Sequence, residues 1–262
     1  VFTPWRSVLG AFGGFDSIEE CYQDMSHKIH AIETGLSADP PMIWRLSRLD
    51  RFTLLSNSDS HSPQPHRIGR EANVFELRKL CYREIIEAIR ARDNSRLKMT
   101  IEVYPDYGKY HFDGHRSCKL PSGEPVVLSP REAMELGERC PVCGKKLTKG
   151  VMHRVEELAD RPQGRRPEGS IPYVHMLPLA EVVAAATGSS PSSKAVSEMC
   201  QRLISSFGSE FAVLLDAPVE EISRVSGSRV AEAVRRVRSG EVVVTPGFDG
   251  VYGKIVIFEE GG

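Results

Sequence analysis

The chain has 262 residues, with 34 Lys and Arg against 35 Asp and Glu and a formal charge of −1. This length allows one large domain or two smaller ones, and the balanced charge excludes a net basic footprint for nucleic acid or an acidic membrane surface. No apolar run approaches the roughly 20 residues of a membrane helix, and the start VFTPWRSVLG lacks the pattern of a signal peptide. We therefore expect a soluble, cytoplasmic protein with no membrane partner.

Residues 1–98 alternate between helix and strand patterns. SIEECYQDMSHKI predicts a helix with Ser17 as its N-cap, and PPMIWRLSRLD predicts a short helix that opens on proline. AIETGL and FTLLSNS predict strands, and ANVFELRKLCYREIIEAIRARD predicts one long amphipathic helix. This alternation is typical of an α/β layer with parallel strands, whose functional sites lie at the carboxyl ends of the strands.

Polar groups follow the second predicted strand. Asp59 and His61 lie two residues apart in NSDSHS, and their side chains point the same way if the extended conformation continues. A carboxylate and an imidazole suit a divalent ion such as Zn²⁺ or Mn²⁺, which activates bound water. The alternative is a Ser-Asp turn capped by a histidine. Glu33, near the end of the first strand, could face the same site.

A small module rich in Gly, Pro and polar residues is predicted for residues 99–150. His115-Arg-Ser-Cys118 is followed, after 21 intervening residues, by Cys140-Pro-Val-Cys143-Gly, which is the spacing of a closed structural zinc site. His111 is the alternative ligand if His115 points away, and free surface thiols are the alternative to a metal. Zinc would replace the apolar core that so small a module cannot build.

Other histidines and cysteines favour structural roles. His27 and His30, spaced i, i+3 at a helix end, are more typical of contacts with the last carbonyls than of metal binding. Cys21, Cys81 and Cys200 lie in helical patterns, which predicts ordinary buried cysteines.

Residues 151–262 are predicted to be mainly helical. Two helical patterns separated by Gly227 have the proportions of a helix-hairpin-helix, in which backbone N–H groups approach a DNA phosphate. The surrounding segment is locally basic although the chain is not. The arginines predicted to contact DNA are Arg229, Arg235 and Arg236. The alternative is an ordinary solvated helix pair.

The terminal stretch VVVTPGFDGVYGKIVIF predicts two strands joined by a Gly-rich loop. Phe248 and Tyr252 lie near its turn, where an exposed aromatic ring could stack on an unpaired base. The alternative is that these rings pack under their own hairpin.

The stretch from AIETGL to REANVFE, with an Asp-x-His motif at Asp59 and His61, resembles the second half of a polymerase-and-histidinol-phosphatase (PHP) domain. More narrowly, it resembles the endonuclease Q family of DNA repair nucleases, and the resemblance continues through DGHRSC, CPVCGKKLT and HRVEELADRP to GFDGVYGKI. It implies a distorted barrel that holds metal ions at its strand ends, with Asp59 and His61 as ligands. It also implies cleavage on the 5′ side of a deaminated base, such as hypoxanthine or uracil, or of an abasic site.

The family pattern includes an early His-x-His pair and further ligands, and it usually has a histidine just before the equivalent of VFTPW. This sequence has no His-x-His pair. The resemblance therefore implies a fragment that lacks the first half of the PHP domain, is inactive alone and has that missing half as a partner. The predicted fold class is α/β, with the C-terminal half of a distorted PHP barrel, a zinc-binding module, and a mainly helical DNA-binding domain that ends in a β-hairpin. These parts are predicted for residues 1–98, 99–150 and 151–262.

The resemblance also implies a mechanism and leaves two rivals. Catalytic Zn²⁺, Mn²⁺ or Mg²⁺ would activate water and neutralise the attacked phosphate. Arg67 and Arg70, just beyond the Asp-x-His motif, could hold the scissile or adjacent phosphate, with surface salt bridges as the alternative. One rival is a small-molecule phosphoesterase of the same superfamily, which needs neither a zinc module nor a basic helix pair. The other is a non-catalytic DNA-binding fragment.

Overall fold

The computed structural model describes residues 1–3, 5 and 7–259, with the backbone alone at 65 and 66. The helices are α1 (Ile18–Tyr22), α2 (Pro40–Ile43), α3 (Pro65–Ile68), α4 (Tyr82–Ala91), α5 (Pro130–Glu135), α6 (Val151–Leu158), α7 (Leu179–Thr187), α8 (Lys194–Phe207), α9 (Val219–Ser226) and α10 (Ser228–Arg238). The strands are β1 (Ala31–Glu33), β2 (Thr53–Leu55), β3 (Ala72–Phe75), β4 (Leu97–Glu102), β5 (Asp113–Lys119), β6 (Pro125–Leu128), β7 (Tyr173–His175), β8 (Val243–Thr245) and β9 (Lys254–Val256). Within the described ranges, no helix combines the length and apolar character needed to cross a membrane.

The chain divides into two compact units. The first consists of residues 1–59, 71–173 and 245–254. The second consists of residues 60–70, 174–244 and those from 255 onward. The three predicted domains were drawn from composition and resemblance, and their boundaries stay a prediction.

The first predicted helix and the first two predicted strands are present. The Ser17 side chain accepts a hydrogen bond from the Glu20 backbone and begins α1. The helix is shorter than predicted because Gln23 takes a positive φ of 48°, after which the chain continues as a 3-10 helix. β1 and β2 are parallel, and the Thr34 N–H donates to the Leu55 carbonyl at 2.9 Å just beyond them.

The prediction of one long helix from Ala72 onward is wrong. Residues 72–75 form β3, which pairs antiparallel with β4, and only residues 82–91 are helical. Asn73 fixes the strand from its side, because its side-chain amide donates to the Ser56 carbonyl at 2.7 Å and its Oδ1 accepts from the Ser56 N–H at 3.0 Å. These contacts join residues far apart in sequence, so no local sequence pattern indicates them. The helical pattern of residues 82–91 is local, and the prediction extended that pattern over the strand.

The fold is mixed α/β, as predicted for the class. The parallel arrangement expected for the opening strands is found in β1 and β2, whereas β3 with β4 and β5 with β6 are antiparallel. The completion of these strands into a PHP barrel stays a prediction.

Two apolar clusters can be traced among the described residues of the first unit. The larger one packs side chains of α1, α2 and the strands β1 and β2 against α6. The smaller one holds only Val126, Ala133, Cys140 and Leu147 as buried members, with partly buried side chains around them. The second cluster therefore has the small core expected of a metal-stabilised module.

The second unit is mainly helical. Its fully buried side chains include Leu179 of α7, Leu203 of α8, Ile222 of α9 and Val234 of α10. α9 ends and α10 begins at Gly227, whose φ of 90° is left-handed backbone that favours glycine. The predicted pair of helices around a glycine turn is thus present. The predicted terminal strands are β8 and β9, which form a two-stranded sheet.

Candidate functional site

Four predicted zinc ligands meet in the first unit. The ligand atoms of His115, Cys118, Cys140 and Cys143 all lie within 4.8 Å of one another. His115 Nδ1 is 3.3 Å from Cys143 Sγ. This distance is close to the edge of a tetrahedron around an ion with N and S ligands at about 2.0–2.3 Å. The cluster can hold a metal ion, and three thiols with one imidazole are the donor set of structural zinc sites.

Local backbone geometry brings the two halves of this cluster together. His115 and Cys118 lie on β5, where the pairing with β6 shifts register between His115 and Lys119. Cys140 and Cys143 lie on a tight turn in which the Gly144 N–H donates to the Cys140 carbonyl at 2.9 Å. Gly144 has a φ of 72°, so a side chain at this position would strain the turn.

Cys118 and Cys140 have opposed pKa shifts. Burial works to raise the pKa of Cys140, but hydrogen bonds from His115 and from backbone N–H groups outweigh it and lower the pKa to about 6. The hydrogen bond with Cys143 raises the pKa of Cys118 to about 11, and burial adds to this rise. Three thiols and an imidazole gathered this closely form a donor set that can hold a metal ion.

His111, the alternative zinc ligand to His115, does not belong to the cysteine cluster. His111 is 5% exposed, and its Nε2 lies 3.3 Å from Asp106 Oδ1. His115 is the histidine of the cluster. The remaining cysteines, Cys21, Cys81 and Cys200, are partly exposed rather than buried.

Asp59 does not continue the extended strand. β2 ends at Leu55, and Asp59 takes a positive φ of 43°. The alternation that would aim Asp59 and His61 the same way therefore stops before it reaches them. Asp59 closes the first segment of the first unit, and His61 belongs to the second unit. Their role as metal ligands stays a prediction.

Glu33 joins Asp59 in a cleft of the first unit. Both residues line a space of about 550 Å³ beside Gly35 and Ser37, next to the carboxyl end of β1. Both carboxylates are exposed. The sequence placed Glu33 near a strand end without assigning it to the site, and the parallel pairing of β1 with β2 is what brings the two strand ends side by side.

Arg67 and Arg70 lie near α7 of the second unit. Burial raises the pKa of Glu181 on that helix, and the charges of the two arginines oppose the rise. The Arg67 side chain is exposed, and that of Arg70 is half-buried. Their contact with a phosphate stays a prediction.

The predicted DNA-contacting arginines of α10 are engaged within the second unit. Arg235 pairs with Glu232 at 2.8 Å and with Glu241 at 2.7 Å. Arg236 pairs with Glu232 at 2.9 Å, and Arg229 donates to the Ala186 carbonyl at 3.1 Å. The hydrogen bonds from Arg235 and then Arg236 lower the pKa of Glu232 to about 2. The basic segment is thus partly neutralised by its own acidic residues, and its DNA contact stays a prediction.

The two aromatic residues of the terminal hairpin differ. Phe248 is 6% exposed, and its ring lies so close to Gly114 that a Cβ there would meet it at 2.4 Å. The ring is therefore buried against β5, and the predicted contact of Phe248 with DNA stays a prediction. Tyr252 is 57% exposed, with Lys109 Nζ 4.5 Å from the ring centroid. Tyr252 therefore presents an aromatic and cationic surface, and its contact with DNA stays a prediction.

Comparison with known proteins gives this geometry a context. The chain matches a lesion-specific endonuclease, PfuEndoQ from Pyrococcus furiosus, with a TM-score of 0.86 and 38% identity over 98% of its length. It matches endonuclease Q in complex with a 27-mer duplex that carries an abasic lesion, with a TM-score of 0.82 and 37% identity over 99% of its length. The chain resembles endonuclease Q over almost its whole length.

The matched proteins are longer than the chain. It spans 61% and 62% of the two endonuclease Q structures. These shares give the extent of the match and do not support the prediction that the chain is a fragment. The chain is also 34% identical to the protein MJ0043 of Methanocaldococcus jannaschii, over 97% of its own length and 31% of that protein. It is 33% identical to YqxK of Bacillus subtilis, over 97% of its own length and 59% of that protein. A family model for the MJ0043 C-terminal domain matches residues 178–241, within the helical unit.

Proposed function

We propose that the chain belongs to a metal-dependent endonuclease that nicks damaged DNA. The observation that carries the proposal is the match to a lesion-specific endonuclease, at a TM-score of 0.86 and 38% identity over 98% of the chain. A second support is that one matched protein is bound to a duplex with an abasic lesion. The substrates we propose are duplexes with a deaminated base, hypoxanthine or uracil, or with an abasic site, cut on the 5′ side of the lesion.

The catalytic ligands we propose in this chain are Asp59, His61 and Glu33. Glu33 is added because it lines the same cleft as Asp59. Divalent ions held by such a carboxylate and imidazole set would activate water and neutralise charge on the attacked phosphate. Arg67 and Arg70 would hold the scissile or adjacent phosphate through charged hydrogen bonds. This interpretation makes the site PHP-type, with Zn²⁺, Mn²⁺ or Mg²⁺ as the catalytic ion.

We propose a structural zinc ion for His115, Cys118, Cys140 and Cys143. The support is the convergence of all four ligand atoms within 4.8 Å around a very small apolar cluster. An ion bound by these four residues would link the turn at Cys140 to β5 and so hold the module in one conformation.

We propose that the α9–α10 pair contacts the DNA backbone. The left-handed backbone at Gly227 lets the chain turn sharply into α10. In any α-helix the first backbone N–H groups have no acceptor within the helix, so those of α10 can donate to a phosphate. The ion pairs of Arg235 and Arg236 are partly exposed. Solvent-exposed ion pairs contribute little to stability, so a phosphate can replace them at little cost.

Binding to damaged and undamaged duplexes tests this proposal. The chain should bind a duplex with one abasic site or one hypoxanthine more tightly than the same duplex without the lesion. The small-molecule phosphoesterase rival predicts weak binding to both duplexes, together with hydrolysis of a small phosphate ester by a protein that contains the chain. The non-catalytic rival predicts binding without a preference for the lesion. Either result would contradict the proposed function.

A further inference from the structure

A second group of candidate ligands lies in the first unit, apart from the cysteine cluster. The ligand atoms of Glu138, His153 and Glu157 all lie within 4.8 Å of one another. His153 and Glu157 are four residues apart on α6, so they share one face of that helix. Glu138 follows α5 and takes a positive φ of 59°. For a residue with a β-carbon this left-handed conformation is uncommon.

His153 is buried and is held from one side. It is 1% exposed, and its Nδ1 lies 2.7 Å from Asp113 Oδ2. Asp113 is fully buried, and its other oxygen accepts a hydrogen bond from the Gly150 N–H at 2.6 Å. The carboxylate therefore fixes the orientation of the imidazole ring. A carboxylate on one ring nitrogen and a metal ion on the other is the usual arrangement of metal-binding histidines.

Among the residues that the structure describes, none is within hydrogen-bond reach of the other ring nitrogen. His153 Nε2 is buried, and it lies 3.5 Å from Glu138 Oε1 and 3.4 Å from Glu157 Oε1. These distances exceed those of normal hydrogen bonds. They equal the spacing of neighbouring ligand atoms in a tetrahedral site, which is about 3.4 Å for metal bonds of about 2.1 Å. The three atoms are placed as ligands around a common ion would be.

We propose that Glu138, His153 and Glu157 form a second site for a divalent metal ion, oriented by Asp113. One imidazole and two carboxylates suit Zn²⁺ or Mn²⁺ and have none of the thiolates that favour softer ions. Two contributors to the site, Asp113 and Glu138, each lie two residues before a ligand of the cysteine cluster. An ion here would therefore link α6 to β5 and to the segment around Cys140, the two parts of the chain that carry the ligands of the cysteine cluster.

Lys149 competes with the metal ion for this site. Its Nζ lies 2.8 Å from Glu138 Oε1 and 3.0 Å from Glu157 Oε1, the same two oxygens that face His153. Its side chain is 26% exposed and can move toward solvent. An ammonium group neutralises the two carboxylates, whereas a metal ion would in addition form a coordinate bond with the imidazole nitrogen. The site should thus exchange Lys149 for a divalent ion when that ion is supplied, and loss of the lysine charge should tighten metal binding.

The experiment counts metal ions in the purified 262-residue chain with Zn²⁺ as the probe. After saturation and dialysis, Glu157→Gln should hold one zinc fewer than wild type, whereas Glu135→Gln, an exposed glutamate of α5, should equal wild type. Lys149→Met should hold the second ion more tightly, by several-fold in a competition with a chelator. These counts do not involve DNA cleavage, so they are independent of the proposed function.

Replacement of zinc by Co²⁺ separates the two sites. Thiolate-bound cobalt absorbs strongly in the near ultraviolet, and cobalt with only nitrogen and oxygen ligands does not. Glu157→Gln should lose one cobalt and keep the full thiolate band, which also shows that the module remains folded. An equal metal content in Glu157→Gln and wild type, or no change of affinity in Lys149→Met, would overturn the proposal and leave Lys149 as the resident counter-ion.

Discussion

At the residue scale, the structure brings together the four side chains that the sequence grouped as metal ligands. Paired ligands on tight turns produce a local signal that survives without knowledge of the fold, and all four meet within 4.8 Å. The second group gave no such signal. Glu138, His153 and Glu157 are ordinary charged residues in sequence, and only the packing of α6 beside the segment after α5 brings them together. Sites built from contacts across the fold are the ones that spacing cannot predict.

Replacement of Cys140 should remove the structural metal ion. In Cys140→Ser, the purified chain should lose one zinc, because a hydroxyl is a poor substitute for a buried thiolate. Loss of the ion should unfold the region around residues 105–150 and spare the rest. Elemental analysis and amide hydrogen exchange would measure both effects. Cys200→Ser, at a partly exposed cysteine outside the cluster, is the matched control. Zinc at full occupancy in Cys140→Ser would refute the assignment.

Glu102 should make stability depend on pH. It is fully buried between Thr34 and Thr100, whose hydroxyls donate to its two oxygens at 2.9 and 2.5 Å. Burial raises the pKa of Glu102 above its ordinary value of 4.5, against these hydrogen bonds. The folded state then retains a proton that the unfolded state has released. This contribution is present below pH 4.5 and is lost as the pH rises through the folded pKa.

The test compares urea unfolding of wild type and Glu102→Gln between pH 4.5 and 8. The wild-type free energy of unfolding should fall relative to that of the variant as pH rises, because the buried carboxyl group has to lose its proton. Glu135→Gln, at an exposed glutamate, should follow wild type at every pH. A constant difference between wild type and Glu102→Gln across this range would show that the carboxyl group does not titrate as inferred.

At the element scale, elements fixed by contacts between residues close in sequence were predicted, and those fixed by contacts between distant residues were not. α1 and the α9–α10 pair were predicted because an N-cap serine and a turn glycine act within a few residues. β3 was missed because its partner β4 lies beyond the intervening α4, and because Asn73 bonds to the backbone at Ser56. The prediction extended the amphipathic helix of α4 toward the N-terminus, over the residues that form β3. Local signals thus predicted the caps and turns, and the strand pairing required the fold.

The salt dependence of DNA binding tests the α10 arginines. If Arg229, Arg235 and Arg236 contact phosphates, replacing all three with Ala should weaken binding similarly across sequences. The slope of log K against log[salt] on duplex DNA should shrink by about 0.9 per lost contact. As a control, Ala at Arg83 and Lys194, two exposed cations on other helices, should leave the slope unchanged. An unchanged slope in the triple variant would mean that the intramolecular ion pairs are the whole role of these arginines.

At the scale of the whole chain, the similarity to endonuclease Q covers almost every residue, but the catalytic ligands proposed in this chain are few. The match covers 98–99% of the chain and about three fifths of the matched structures, 61% and 62%. The ligands proposed here for catalysis are Asp59, His61 and Glu33, and each divalent ion takes four or more donors. A site with several ions would therefore need ligands beyond those proposed in this chain. Under the proposed function, the chain supplies substrate binding and part of the metal site.

Because so few ligands are proposed in this chain, we expect it to be a poor nuclease by itself. The 262-residue chain alone should show little or no nicking of hypoxanthine-containing DNA, even with added Mn²⁺. In a longer protein that contains the chain and supplies the other ligands, Asp59→Asn should abolish nicking and leave DNA binding largely intact. Asn is chosen because it tolerates the positive φ of 43° at this position, so that the change removes the charge and preserves the loop. Asp24→Asn, at an exposed aspartate of the first unit, should nick at the wild-type rate. Normal nicking by Asp59→Asn would show that this carboxylate binds no ion that catalysis needs, and the proposed site would then have to be sought among other residues of the cleft.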